Sequence, residues 1–101
     1  MRFECRLDVF DDAERKQYAA LRSAMKAGAR ELQELPDGFA IRLTPDVTLF
    51  RQVAEWITLE RRCCPFLELG LQWSTADAVS VTLTGGPGVK AYLAGALGRS
   101  G

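Results

Sequence analysis

Residues 67–84 contain the pattern that decides the fold, with LELGLQW at 67–73 and VSVTLT at 79–84. In both segments apolar residues alternate with polar residues or glycine, which is typical of a β-strand with one buried face. A short polar segment that contains Asp77 separates them. The pattern predicts an antiparallel hairpin.

A similar hairpin is predicted in the first half of the chain. Pro36-Asp37-Gly38 stands between residues 30–35 and residues 39–43. Proline presets the first turn angle and glycine tolerates a positive φ, so this tripeptide favours a tight turn. The alternative is a first helix that continues to Leu35. Gly28 interrupts that helix, which favours the hairpin.

Three helices are predicted from their start and stop signals. The first follows Asp11 or Asp12, and Asp11 with Glu14 resembles a capping box. The second begins at Thr44-Pro45-Asp46, with the Thr44 hydroxyl as the cap and Pro45 at the first helical position, and runs to about Arg62. A short third helix follows residues 85–88 (GGPG), which lack the spacing of a phosphate-binding loop and therefore favour a simple turn.

Residues 2–10 alternate in the same way as the hairpin strands and are predicted to form the first strand. The element order is then β-α-β-β-α-β-β-α, within a single α+β domain that spans residues 1–101. Strands with one apolar face fit a two-layer sandwich, in which three helices cover one face of an antiparallel sheet of about five strands. The second face is predicted to be solvated or to mediate association, for example in a homodimer.

Composition excludes several functions. The chain has 101 residues, with 13 Lys plus Arg balanced by 13 Asp plus Glu, so a sequence-independent nucleic-acid binder is not expected. No histidine is present, which excludes Ser-His and Cys-His nucleophile pairs. A charged start and the lack of a long apolar run predict a cytoplasmic protein with no membrane segment.

The strongest candidate for chemistry is ERRCCPF at residues 60–66. Cys63 and Cys64 stand at the predicted end of the second helix, where Pro65 directs Cys64 out of the helical conformation. Two neighbouring thiols can bind one soft metal ion or be oxidised together, although free cysteine also packs well as a small apolar residue. Arg61 and Arg62 oppose the negative end of the helix dipole, and either can pair with a thiolate, but Glu60 can pair with one of them and cancel part of that effect, so a strongly activated thiol is not predicted.

Cys5 is the candidate for a third ligand. Its position on the core face of the predicted first strand also suits a simple packing role. Three thiolates without histidine suit a soft ion of low coordination number, such as copper(I), mercury(II) or arsenite. A tetrahedral zinc site would need a carboxylate as well.

The chain resembles a group of short bacterial proteins that carry an E-R-x-C-C-P-F segment. In that group Leu-Pro-Asp-Gly precedes the segment, as at residues 35–38, and Leu-Thr-Gly-x-x-Gly-Val-Lys follows it, as at residues 83–90. Members of the group can accompany heavy-metal resistance. The group has no settled activity, so the resemblance implies only that metal or metalloid binding is worth testing, and it assigns no catalytic residue.

Two alternatives remain at this point. Cys63 and Cys64 can cycle between dithiol and oxidised forms in a redox or detoxifying protein, or the chain can be an interaction module with no chemical site. Any thiol function requires that the sulfurs of the pair be reachable from solvent.

The remaining candidates have simpler interpretations. Four acidic residues are interpreted as surface charges: Glu31, Glu34, Glu60 and Glu68. Trp73 is interpreted as a core residue, and Trp56 as a neighbour of the Cys63 site.

Overall fold

The structure, a computed structural model, describes residues 5–97. It is an α+β fold in which an antiparallel sheet packs against three helices. The elements, in chain order, are α1 (Asp12–Gly28), β1 (Ala29–Leu35), β2 (Gly38–Leu43), α2 (Val47–Cys63), β3 (Glu68–Trp73), β4 (Val79–Thr84) and α3 (Val89–Ala96).

The two predicted hairpins form the sheet. Its strand order is β1-β2-β4-β3, with every neighbouring pair antiparallel. The hairpins join through their second strands, where Ile41 pairs with Val81. Leu32 pairs with Ile41 and Leu71 with Val81, so these residues share one face of the sheet. The alternative of a first helix that continues to Leu35 is wrong, because α1 ends at Gly28.

The predicted strand at residues 2–10 does not form in its described part. Residues 2–4 lie outside the described residues, and Leu7–Val9 form a 3-10 turn. The amide of Arg6 donates to the carbonyl of Cys63 at 2.7 Å, so the segment is attached to the end of α2 instead of a sheet edge. Within residues 5–97 the sheet has four strands, where about five were predicted.

Local signals explain the helix boundaries. Asp11 and Glu14 form the predicted capping box at the start of α1. At α2 the cap is Asp46, whose carboxylate accepts from the amide of Leu49 at 2.8 Å, and not Thr44. The last residue of α2 is Cys63, and Cys64 leaves the helix with φ −126° and ψ 68° before Pro65, as predicted.

One hydrophobic cluster joins the helices to the sheet. Its strand residues are Phe39, Ile41, Leu43, Val79, Val81 and Leu83, which all lie on the same face. The same cluster includes residues of all three helices, so the helices cover that face. The opposite face carries polar residues such as Arg42 and Gln72. Within residues 5–97, no helix combines the length and the apolar character that a membrane crossing requires.

Candidate metal centre

The end of α2 and the N-terminal segment bring the three cysteines together. Cys5 and Cys64 form a disulfide with a Cα–Cα distance of 4.7 Å. Cys63 is a free thiol, and its sulfur lies 3.6 Å from that of Cys64. The sequence left open whether Cys5 lies near the pair, and the structure places it there. The observed bridge joins Cys5 to Cys64, whereas the redox alternative paired the neighbouring Cys63 and Cys64.

The three sulfurs differ in their access to solvent. Cys63 and Cys64 are 0% exposed, so the expectation that the sulfurs of the pair are reachable from solvent is wrong for direct access. Cys5 is partly exposed and lines a cavity of about 260 Å³ together with Tyr92 and Glu60. Any reactant from solution must therefore approach the cluster from the Cys5 side.

Glu60 contributes a carboxyl group that the sequence interpretation missed. Its side chain is only 5% exposed, and its oxygen Oε1 lies 3.8 Å from the sulfur of Cys5. The hydroxyl of Tyr18 donates to Oε2 at 2.5 Å. The assignment of Glu60 as a surface charge is wrong. Trp56, Glu60 and Cys63 follow one another at intervals of four and three residues, which puts them on one face of the helix. This spacing is the sequence signal from which the burial of Glu60 could have been predicted.

Burial dominates the electrostatics of the cluster. It raises the pKa of Glu60, while the hydrogen bond from Tyr18 and the charge of Arg22 partly oppose the rise. Burial and then the Glu60 carboxylate raise the pKa of the Cys63 thiol. The pKa of Tyr18 is also raised, by burial and by its bond to Glu60. The pocket thus favours neutral groups over charged ones.

The predicted role of the two arginines is not seen for Arg62. Its guanidinium pairs with Glu14 at 2.6 Å, donates to the carbonyl of Val9 at 3.2 Å and lies over the ring of Phe10. These contacts attach α2 to α1 and to the N-terminal segment. The cation that acts on the Glu60 and Cys63 pKa values is Arg22 of α1.

The two tryptophans differ in location. Trp56 is 3% exposed, lines the same cavity as Cys5, and has no hydrogen-bond partner for its indole nitrogen among the described residues. This agrees with the prediction that it borders the site. Trp73 is 36% exposed and donates to Asp77 at 2.6 Å, so its assignment to the core is wrong.

One ligand atom from each of Cys5, Glu60, Cys63 and Cys64 lies within 4.8 Å of all the others. A cluster of this size can hold a single metal ion, once the Cys5–Cys64 bridge is reduced. Comparisons with protein-family models, with curated proteins and with solved structures gave no match. The candidate centre is therefore supported by the geometry of these four residues and by no related protein.

Proposed function

We propose that the reduced protein binds a soft metal or metalloid through Cys5, Cys63 and Cys64. The observation that carries the proposal is the convergence of three sulfur atoms and one carboxylate oxygen within 4.8 Å. Thiolates favour soft ions, and no imidazole ligand is available because the chain contains no histidine. Glu60 supplies the carboxylate that a tetrahedral zinc site needs, but three thiolates and a carboxylate around zinc would leave a net charge of −2 in the pocket. The resemblance to proteins that accompany heavy-metal resistance agrees with this function.

Charge favours arsenite over copper(I) and mercury(II). Three thiolates leave a net charge of −2 around copper(I) and −1 around mercury(II), whereas a tris-thiolate of arsenic(III) is neutral. Binding of arsenous acid to three thiols releases water, so no charge needs to enter the pocket. Because Cys63 and Cys64 are fully buried, an uncompensated charge is costly there. The raised pKa of Glu60 has the same cause, because burial favours the neutral form of its carboxyl group.

Reduction is a condition for binding. In the disulfide form only the Cys63 thiol is available, and one buried thiol with a carboxyl neighbour is a poor site for a soft ion. A reducing compartment, such as the cytoplasm predicted from the sequence, would keep the three thiols ready.

A thermal-shift measurement on phosphine-reduced protein tests the proposal. Arsenite at 100 times its dissociation constant adds about 2.7 kcal/mol to the free energy of unfolding. For a domain of this size that corresponds to a rise in Tm on the order of 10 °C or more. Copper(I) and mercury(II) are measured alongside to rank the three ions.

Three outcomes decide the result. Cys63→Ser removes one sulfur without affecting the disulfide partners and is expected to abolish most of the arsenite shift. The oxidised wild type is expected to show no shift. An unchanged Tm of the fully reduced wild type with all three ions would exclude the function.

The disulfide supports a second candidate function, thiol–disulfide exchange. The free thiol of Cys63 lies 3.6 Å from the bridged sulfur of Cys64, although a bridge between these adjacent residues needs a distorted local backbone. A reversible two-electron step at a potential in the range of cellular thiols would favour thiol–disulfide exchange.

Association of two copies through the polar face of the sheet stays a separate prediction.

A further inference from the structure

The Cys5–Cys64 disulfide has one accessible side. Thiol–disulfide exchange begins when a thiolate attacks one sulfur and expels the other. The sulfur of Cys64 is sealed, whereas Cys5 is partly exposed and lines the 260 Å³ cavity. An external thiol must therefore attack Cys5 and release Cys64 as the leaving group.

A larger groove adjoins this cavity. Its volume is about 630 Å³, and it runs between α1 and β1 to the end of α3. The groove and the cavity share five lining residues, which are Arg22, Met25, Ile41, Ala96 and Leu97. A molecule bound in the groove is thus next to the space that leads to Cys5.

The groove is cationic in a chain of zero net charge. Arg22, Lys26 and Arg30 line it, and none of them forms an ion pair with another residue in the range 5–97. The single acidic residue of the lining, Glu31, has its carboxylate 3.5 Å from the guanidinium of Arg42. Arg22 and Lys26 stand one turn apart on α1, so their charges lie on the same side of the helix.

We propose that this groove binds a small thiol with two or more carboxylates and directs its sulfur to Cys5. The carboxylates contact Arg22, Lys26 and Arg30, and the thiol enters the adjoining cavity. The inference rests on the proposed function for its purpose, since this exchange produces the reduced cluster that binds the ion.

The exchange consists of two balanced steps. The thiolate of the first small molecule bonds to the sulfur of Cys5, the Cys5–Cys64 bond breaks, and Cys64 takes up a proton to become a thiol. A second small-molecule thiolate then attacks the sulfur of the bound molecule and expels Cys5, which takes up a proton to become the second thiol. One protein disulfide is reduced to two thiols, and two small thiols are oxidised to one disulfide.

The rate of reduction of the oxidised wild type tests the binding step. Glutathione carries two carboxylates, and its diethyl ester is a probe with the same thiol and no carboxylate. Each rate is divided by the concentration of the thiolate form of the reductant. The reaction is stopped at intervals with an alkylating agent, and the modified cysteines of the protein are counted by mass spectrometry. We expect reduction by glutathione to be about tenfold faster than by the ester at low ionic strength, and the difference to shrink with added salt.

Matched variants assign the effect to the groove. Lys26→Gln and Arg30→Gln are expected to reduce the preference for glutathione, whereas Lys16→Gln removes an exposed charge of α1 outside the groove and is expected to preserve it. Equal rates for glutathione and its ester, or an equal effect of Lys16→Gln, would overturn the proposal.

Mapping the mixed disulfide tests the direction of attack. Cys64→Ser leaves Cys5 without its bridge, and oxidised glutathione is expected to add to Cys5 in that variant. In Cys5→Ser the two buried cysteines are expected to remain unmodified, and faster modification of Cys64 than of Cys5 would contradict the assignment. Arsenite binding by phosphine-reduced protein does not depend on this exchange, so the two proposals can fail separately.

Discussion

Glu60 combines a buried carboxyl group with a hydroxyl donor, Tyr18, and a sulfur neighbour, Cys5. Burial raises its pKa above the ordinary value of 4.5. The folded protein therefore keeps this carboxyl protonated at pH values where the unfolded chain has lost the proton. The stability that Glu60 contributes is present in full at pH values below its pKa in the unfolded chain. It is lost as the pH rises through the pKa that Glu60 has in the folded protein.

Glu60→Gln removes this dependence while it keeps an oxygen acceptor for Tyr18. As the pH rises above about 4.5, we expect the free energy of unfolding of the wild type to fall relative to that of Glu60→Gln. Urea denaturation between pH 4 and pH 8, at intervals of half a unit, measures the difference. Glu68→Gln changes an exposed carboxyl and serves as the control. Parallel curves for the wild type and Glu60→Gln would show that Glu60 titrates normally.

The helices and hairpins were predictable because each carries its own short-range signal. The capping box at Asp11 and the alternation in residues 79–84 both depend on neighbours in sequence, and both predictions are confirmed. The segment at residues 5–10 follows the same alternation but is bonded to the end of α2 and not to a sheet edge. Its partners, Cys64 and Arg62, are more than 50 residues away, and no local pattern reports them.

The candidate centre was predictable only in part for the same reason. The doubled cysteine indicated chemistry, and Cys5 was a candidate third ligand whose distance from the pair no local pattern gives. The carboxyl of Glu60 is visible in the helical spacing, but the cavity and the cationic groove arise where α1, β1 and α3 meet. No sequence pattern within a single helix or strand predicts a cavity that forms only where several distant elements meet.

The start of α1 offers a test of how firmly that helix is held. Asp11 accepts from the amide of Glu14 at 2.8 Å, and the Glu14 carboxylate accepts from the amide of Asp11 at 3.1 Å. Asp11→Ala removes the first bond and is expected to cost about 1 kcal/mol of unfolding free energy, measured by urea denaturation. Asp12→Ala, one residue later, removes a long ion pair to Arg15 and one negative charge of the first turn, and is expected to cost less. Equal losses in the two variants would argue against the capping box.

The disulfide couples stability to the proposed metal binding. The bridge joins residues 59 positions apart, so it restricts most of the unfolded chain. The chain-entropy model assigns such a loop a stabilisation of about 4 kcal/mol. Reduction therefore prepares the ligands and weakens the fold in a single step, and a bound ion that links the same sulfurs offsets part of the loss.

Urea denaturation of the oxidised and the reduced wild type measures this coupling directly. We expect the oxidised protein to be more stable by roughly 4 kcal/mol, because its unfolded state remains cross-linked. Cys63→Ser retains both bridge partners and is expected to show the same difference, whereas Cys5→Ser is expected to show none. Arsenite is expected to raise the midpoint of the reduced wild type toward that of the oxidised protein. Coincident midpoints for the oxidised and reduced wild type would mean that the bridge does not constrain the unfolded chain, and reduction would then prepare the site at no cost in stability.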